Sequence, residues 1–284
     1  ISSFCAALPP KSKVLMLDLE YPSVYEPFRL KGFDMYRFSS SNQFDWDIER
    51  IKDQLVDDDI DVLAISHCQY LSGYLADLEE LGKYCRDRNI LFFVDATQTL
   101  GAEYIHFHEM NIDVLVASHY KWMNAGLGSA VMVINEDVQN KYPAKVGGFG
   151  SYVPLEEGGF EYKSSIRSYE PGHLALASLL CLEVVLNNRK ATDLPVIAEH
   201  NHLVADHFRK GLSERGISYL GEGSDVWHQS SIVVVDWDEE MFAKLRERSV
   251  SCSFRGGRVR FGFHHHNTEQ EINDFFERID GIRK

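Results

Sequence analysis

Five short apolar runs, separated by stretches of helical spacing, constrain this chain more than any other feature. The runs are KVLMLDL (13–19), VLAIS (62–66), LFFVDA (91–96), VLVAS (114–118) and SAVMVI (129–134). Between them lie PSVYEPFRLKG (22–32), DWDIERIKDQL (45–55) and ADLEELGKYCRDRN (76–89), whose apolar residues recur every three or four positions between helix start and stop signals. A strand that is apolar on both faces must be covered on both, and strands joined through helices run parallel. The chain therefore reads as α/β, with a mainly parallel sheet sandwiched by helices. In such a sheet the loops at the carboxyl ends of the strands open into a crevice, and functional side chains collect there.

After residue 135 the pattern changes. Residues 141–172 are rich in Gly, Pro and aromatics and read as a long structured loop, and a helical stretch follows over 172–216. Strand candidates SIVVVDW (231–237) and SCSFRGGRVRFGF (251–263) then alternate with helices DEEMFAKLRERS (238–249) and TEQEINDFFERI (268–279). This order divides the 284 residues into a large domain, 1–172, and a linking helix with a smaller C-terminal α/β domain, 173–284. The opening ISSFCAALPPKSKVLMLDL lacks Met and reads as the tail of a helix entering the first strand, so further residues are expected upstream.

A formal net charge of −14 disfavours nucleic acid and anionic membrane as main partners, while leaving room for a local basic pocket. No apolar run is long enough to span a bilayer. The five cysteines are odd in number, scattered and without a C-x-x-C pair, which fits reduced thiols of a cytoplasmic protein.

Two residues at strand ends carry the chemistry. Asp95 closes LFFVDA, where a carboxylate is costly unless it is paired; it can cap a short helix opening at DATQ or serve a site. Lys121 follows VLVAS by three residues. A lysine there either reaches out to solvent or, partly desolvated, becomes a nucleophilic amine able to form a Schiff base. An amine on one strand end and an acid on its neighbour meet the two needs of pyridoxal phosphate, a lysine for its aldehyde and an acid for its pyridine nitrogen.

VDATQTLGA (94–102) followed by DVLVASHYKWMNAGLGSAVMVI (113–134) resembles the aminotransferase class V family of fold-type I pyridoxal-phosphate enzymes, which includes cysteine desulfurases and kynureninases. The resemblance runs in order over nearly the whole chain. It implies that Lys121 holds pyridoxal 5'-phosphate as an internal aldimine, that Asp95 faces the pyridine nitrogen, and that Gln98 lies near the phenolic oxygen. By the same resemblance Ser118 and Tyr120 contact the phosphate, Tyr21 stacks on the ring, and His67 and Tyr70 belong to the pocket. His173, in YEPGH (169–173), falls where a neighbouring subunit reaches the phosphate, and Arg260, in RVRFGFHHHNTEQEI (258–272), where a guanidinium clamps the substrate α-carboxylate.

The implied protein is a homodimer acting on an amino acid, with transamination as the first reading. A β- or γ-eliminating lyase, a kynureninase-like C–C hydrolase and a non-catalytic scaffold are the alternatives. Cys252 is displaced from the loop where desulfurases carry their nucleophile. Kynureninases have a Trp pair in the loop aligned with VGGFGSY (146–152) and a His at the position of Gln98. By the same resemblance, the glycine- and hydroxyl-rich loop that cups the phosphate in relatives is expected upstream of residue 1.

Two motifs are set aside. GFG (148–150) is too short for a phosphate loop. HHH (264–266) follows a strand pattern, where adjacent side chains point to opposite faces, so no metal ion is expected there.

Overall fold

Strands apolar on both faces need two cores, and the computed structural model has them. It describes residues 1–39, 46–190, 194–224 and 229–281. The first part comprises α1 (Ser2–Ala7), β1 (Lys13–Leu17), α2 (Pro22–Leu30), β2 (Asp34–Phe38), α3 (Ile48–Asp57), β3 (Val62–Ser66), α4 (Leu78–Asp87), β4 (Leu91–Asp95), β5 (Val114–Ser118), β6 (Ala130–Ile134) and α5 (Glu136–Lys141). The strands form one sheet in the order β2-β1-β3-β4-β5-β6, parallel except for β6, which runs antiparallel to β5. Leu15, Leu63, Phe92 and Leu115 point to one core, and Val14, Val62, Phe93 and Val114 to the other.

The helix starts follow from local chemistry. Asp47 and Asp77 accept backbone N–H bonds at the first turns of α3 and α4, satisfying donors that have no partner within the helix. Within α4, Gly82 lies so close to Met110 that an added Cβ would sit 1.9 Å from the Met110 carbonyl oxygen.

The remainder comprises a hairpin, β7 (Tyr152–Pro154) and β8 (Phe160–Tyr162), inside the stretch expected to be a loop, then α6 (Leu176–Arg189), α7 (Leu194–Ser213), β9 (Ile232–Val235), α8 (Glu239–Glu247), β10 (Ser253–Arg255), β11 (Arg258–Gly262) and α9 (Glu269–Asp280). Strands β10, β11 and β9 form an antiparallel sheet backed by α7 and α9, with Phe208 packed among Phe261, Phe263, Phe275 and Phe276. Gly256 and Gly257 turn β10 into β11 with φ of 58° and 78°, the left-handed geometry of a two-residue hairpin. Ser230 joins this sheet to the first, its hydroxyl donating to the Gly73 carbonyl at 2.7 Å.

Several expectations need adjustment. Strand β2 was not anticipated: it lies at the sheet edge, where exposed residues break the apolar run. The first run stops at Leu17, because Leu19 takes a positive φ of 61°. The helical stretch 172–216 contains two described helices, and positions 191–193 within it lie outside the described residues, as does position 45 of the 45–55 helix. Among the described residues no helix is long and apolar enough to cross a membrane.

Candidate active site

The register of the sheet brings the two strand-end groups together. Ser66 pairs with Asp95, and Asp95 with Val116, so β3, β4 and β5 end almost level. Beyond Ser118 the chain folds into a turn, with Asn124 N–H donating to the Lys121 carbonyl at 3.0 Å and Ala125 N–H to the His119 carbonyl at 3.1 Å. Asn124 adopts a positive φ of 54°, a conformation that asparagine tolerates better than most residues. Trp122 is buried and anchors this turn.

Lys121 thereby enters a cavity of about 320 Å³ together with Asp95, Ser118, Tyr120 and Tyr21. Its Nζ lies 5.8 Å from the centre of the Tyr21 ring and 5.9 Å from that of Tyr120. Burial lowers the lysine pKa, and the guanidinium of Arg260 lowers it further. Asp95 is almost fully buried, which raises its carboxyl pKa. One oxygen accepts the Thr97 N–H at 2.8 Å, so Asp95 caps a tight turn, not a helix, while still lining the cavity.

Arg260, on β11, donates to the Tyr70 carbonyl and, at 3.2 Å, to the Ser253 hydroxyl. Among the described residues no carboxylate pairs with it, and burial lowers its pKa. A half-buried guanidinium held by neutral groups alone retains an unmet attraction for an anion. The Tyr70 ring meets Tyr21 edge-on at 5.1 Å, so the segment 65–73 does border the site.

At the cavity wall Ser118 N–H donates to the Thr97 hydroxyl at 3.2 Å. Other assigned residues stand back from the cavity. The Gln98 amide oxygen accepts the Trp122 indole N–H at 3.3 Å. His67 is turned into the core, its Nδ1 2.9 Å from the Thr99 hydroxyl, and burial drives its pKa down to about 3. His173 stacks on Phe149 at 6.3 Å and lines a different cleft of this chain. Cys252 is half-buried beside the Val250 carbonyl, does not line the Lys121 cavity, and has a raised pKa through burial.

One buried residue behind the site gave no signal in the sequence. Glu20 is buried and accepts three hydrogen bonds, from Tyr21 N–H at 2.6 Å, the Ser66 hydroxyl at 2.5 Å and Ser66 N–H at 2.8 Å. Burial pushes its carboxyl pKa up to about 7. It ties the backbone of Tyr21 to the end of β3, and an acid in a loop after a strand ordinarily reads as solvated. Ser3 and Tyr169 line the cavity without having been singled out.

Comparison with known proteins identifies the family. Residues 1–275 match the aminotransferase class-V family, and the chain belongs to it. It is a pyridoxal-phosphate-dependent enzyme acting on an amino acid. A probable cysteine desulfurase of Methanothermobacter thermautotrophicus is 21% identical over 95% of this chain and 72% of its own length. A kynureninase of Pseudomonas fluorescens is 26% identical over 74% of this chain and 53% of its own length. The apo cysteine desulfurase of Thermococcus onnurineus superposes with a TM-score of 0.87 at 18% identity, covering 99% of this chain and 75% of that one, which establishes the shared fold.

The residues present fit the cofactor. A desolvated amine, a buried acid and an aromatic face line one cavity, which is the donor set that a pyridine aldehyde requires.

Proposed function

We propose that Lys121 is the lysine that binds pyridoxal phosphate and that the enzyme transfers the amino group of an amino acid. The observation that carries this reading is one cavity lined by Lys121, Asp95 and Tyr21, with Arg260 held behind Tyr21 on the Tyr70 carbonyl. When bound, the cofactor supplies an electron sink for the bond broken at the substrate α-carbon. Asp95 would hold a proton at the ring nitrogen, and Tyr21 would lie against the ring. Ser118 and Tyr120 would donate to the phosphate, and Gln98, fixed by the Trp122 indole, would act on the phenolic oxygen from behind the cavity wall. Arg260 grips the α-carboxylate through its planar fork and so presents the α-hydrogen to Lys121, whose neutral amine moves the proton.

Transamination is favoured over desulfuration because Cys252 neither lines the cavity nor has a lowered pKa. We place the site between a unit of residues 1–172, which carries Lys121, and one of residues 173–284, which carries Arg260. A homodimer is supported by the apolar side chains that α6 exposes, Leu176, Leu180 and Val184, and it gives His173 a site in the other subunit to reach. Free thiols at all five cysteines support a reducing, cytoplasmic setting.

The test is the visible absorption spectrum of wild type and Lys121→Ala, each reconstituted with pyridoxal phosphate and then given a panel of amino acids. A band in wild type that responds to some amino acids and is altered in the variant supports the reading. No band in wild type refutes it.

A further inference from the structure

Strand geometry does not apply to His264, His265 and His266, because β11 ends at Gly262. The three histidines sit in a turn closed by Asn267, whose N–H donates to the His264 carbonyl at 2.8 Å and whose side-chain oxygen accepts the His264 N–H at 2.8 Å. The turn is held from two further sides. His200, on α7, places its Nε2 3.0 Å from the Asn267 carbonyl, and Thr268 with Glu271 forms the capping box that starts α9. A turn so pinned can aim consecutive side chains to one side, and here it does. The His265 and His266 rings lie 4.2 and 4.7 Å from that of His264, and one ring nitrogen from each of the three falls within 4.8 Å of the others.

The tautomer of His264 is set by its surroundings. Its Nε2 faces the Trp122 carbonyl at 3.1 Å and must carry the proton, since a carbonyl only accepts. In the neutral ring the lone pair is then on Nδ1, which is buried and has no hydrogen-bond partner. The ring is also fixed in plane, stacked on the Trp122 indole at 5.3 Å with 3° between the planes. A backbone carbonyl on one imidazole nitrogen with a free lone pair on the other is the arrangement by which proteins orient a metal-binding histidine.

We propose that His264 Nδ1, His265 and His266 form a site for a divalent transition-metal ion of the zinc type, with water completing the coordination. Three nitrogens on a tetrahedral zinc stand about 3.3 Å apart, given Zn–N bonds of 2.0–2.1 Å. The nitrogens stand within 4.8 Å of one another, so ligation requires His265 and His266, whose side chains are exposed, to move inward. Arg189 donates to the same Trp122 carbonyl at 2.6 Å, which puts a positive charge near the site. Binding therefore comes from coordinate bonds to neutral imidazoles, which selects zinc, copper or nickel over magnesium or calcium. The site is independent of the function of Lys121.

Titration of Zn²⁺ into the purified protein by calorimetry tests this, with Mg²⁺ as the control and the His265→Ala/His266→Ala double variant beside wild type. Both replaced rings are exposed, and circular dichroism checks that the fold is kept; His266→Ala alone serves if the double variant does not fold. The expected result is one Zn²⁺ per chain in wild type, no Mg²⁺ binding, and affinity at least about tenfold weaker in the variant. Wild type that does not saturate at one ion per chain, or a folded variant that binds zinc as tightly as wild type, overturns the proposal.

Discussion

Arg260→Met takes away the guanidinium while keeping most of its volume, so substrate binding and folding respond separately. For the fold, the substitution removes two hydrogen bonds from a charged donor, to Tyr70 and Ser253, worth about 1.5–3 kcal/mol each. It also removes the burial of an unpaired charge, a penalty of several kcal/mol, about as large and opposite in sign. The net change in unfolding free energy is expected to stay within about 1.5 kcal/mol of wild type, the range of volume-conserving swaps.

For the substrate, loss of one member of a buried charge pair costs about 2–5 kcal/mol. At about 1.36 kcal/mol per decade, kcat/KM falls roughly 30-fold to several thousand-fold. Because the α-carboxylate is held equally before and during reaction, most of the fall belongs in KM. Steady-state kinetics on an amino acid and on the matching amine without a carboxylate, with urea unfolding alongside, separates the two effects. An unchanged kcat/KM for the amino acid, or an equal loss for the amine, refutes the assignment of Arg260.

Glu20 and His67 should oppose each other in the pH dependence of stability. The Glu20 carboxyl, raised from 4.5 to about 7, stabilises fully at low pH and loses its contribution as pH rises through about 7, on the order of 3 kcal/mol. His67, lowered from 6.5 to about 3, contributes above its ordinary pKa and loses that contribution as pH falls toward 3, on the order of 5 kcal/mol. In urea melts across that range, Glu20→Gln should steepen the loss of stability on acidification and His67→Gln should flatten it; parallel profiles contradict the assignment. Gly82→Ala gains helix propensity but drives a Cβ into the Met110 carbonyl, and a net loss of about 1–3 kcal/mol is expected in the same assay.

The interior of the fold was legible and its rim was not. β3, β4 and β5 are apolar up to their last residue because both faces are covered, so composition alone marks them. β2 at the edge is exposed or half-buried at every residue before Phe38 and has no such mark. The antiparallel direction of β6 depends on a short return through Gly126 and Gly128, both at positive φ, which an apolar pattern does not encode. At the site, Asp95 and Lys121 announced themselves as charges at the ends of apolar strands, while Arg260 was legible only through the family resemblance. Glu20 was not legible, because its burial depends on Ser66, 46 residues away in the chain. The backbone of the His triplet was not legible either: a strand pattern runs into it, whereas β11 ends at Gly262 and Asn267 turns the chain.

The uncompensated Arg260 beside a depressed Lys121 also shapes how an anion arrives. The chain as a whole carries a formal charge of −14, so a phosphate or carboxylate in solution is repelled at long range and attracted only near the mouth of the cavity. Added salt, with a screening length of about 8 Å at physiological strength, damps the outer repulsion more than the inner attraction. Association with pyridoxal phosphate should therefore quicken as ionic strength rises, the reverse of a protein that steers its ligand by net charge, and stopped-flow measurement across a salt series reads that slope directly.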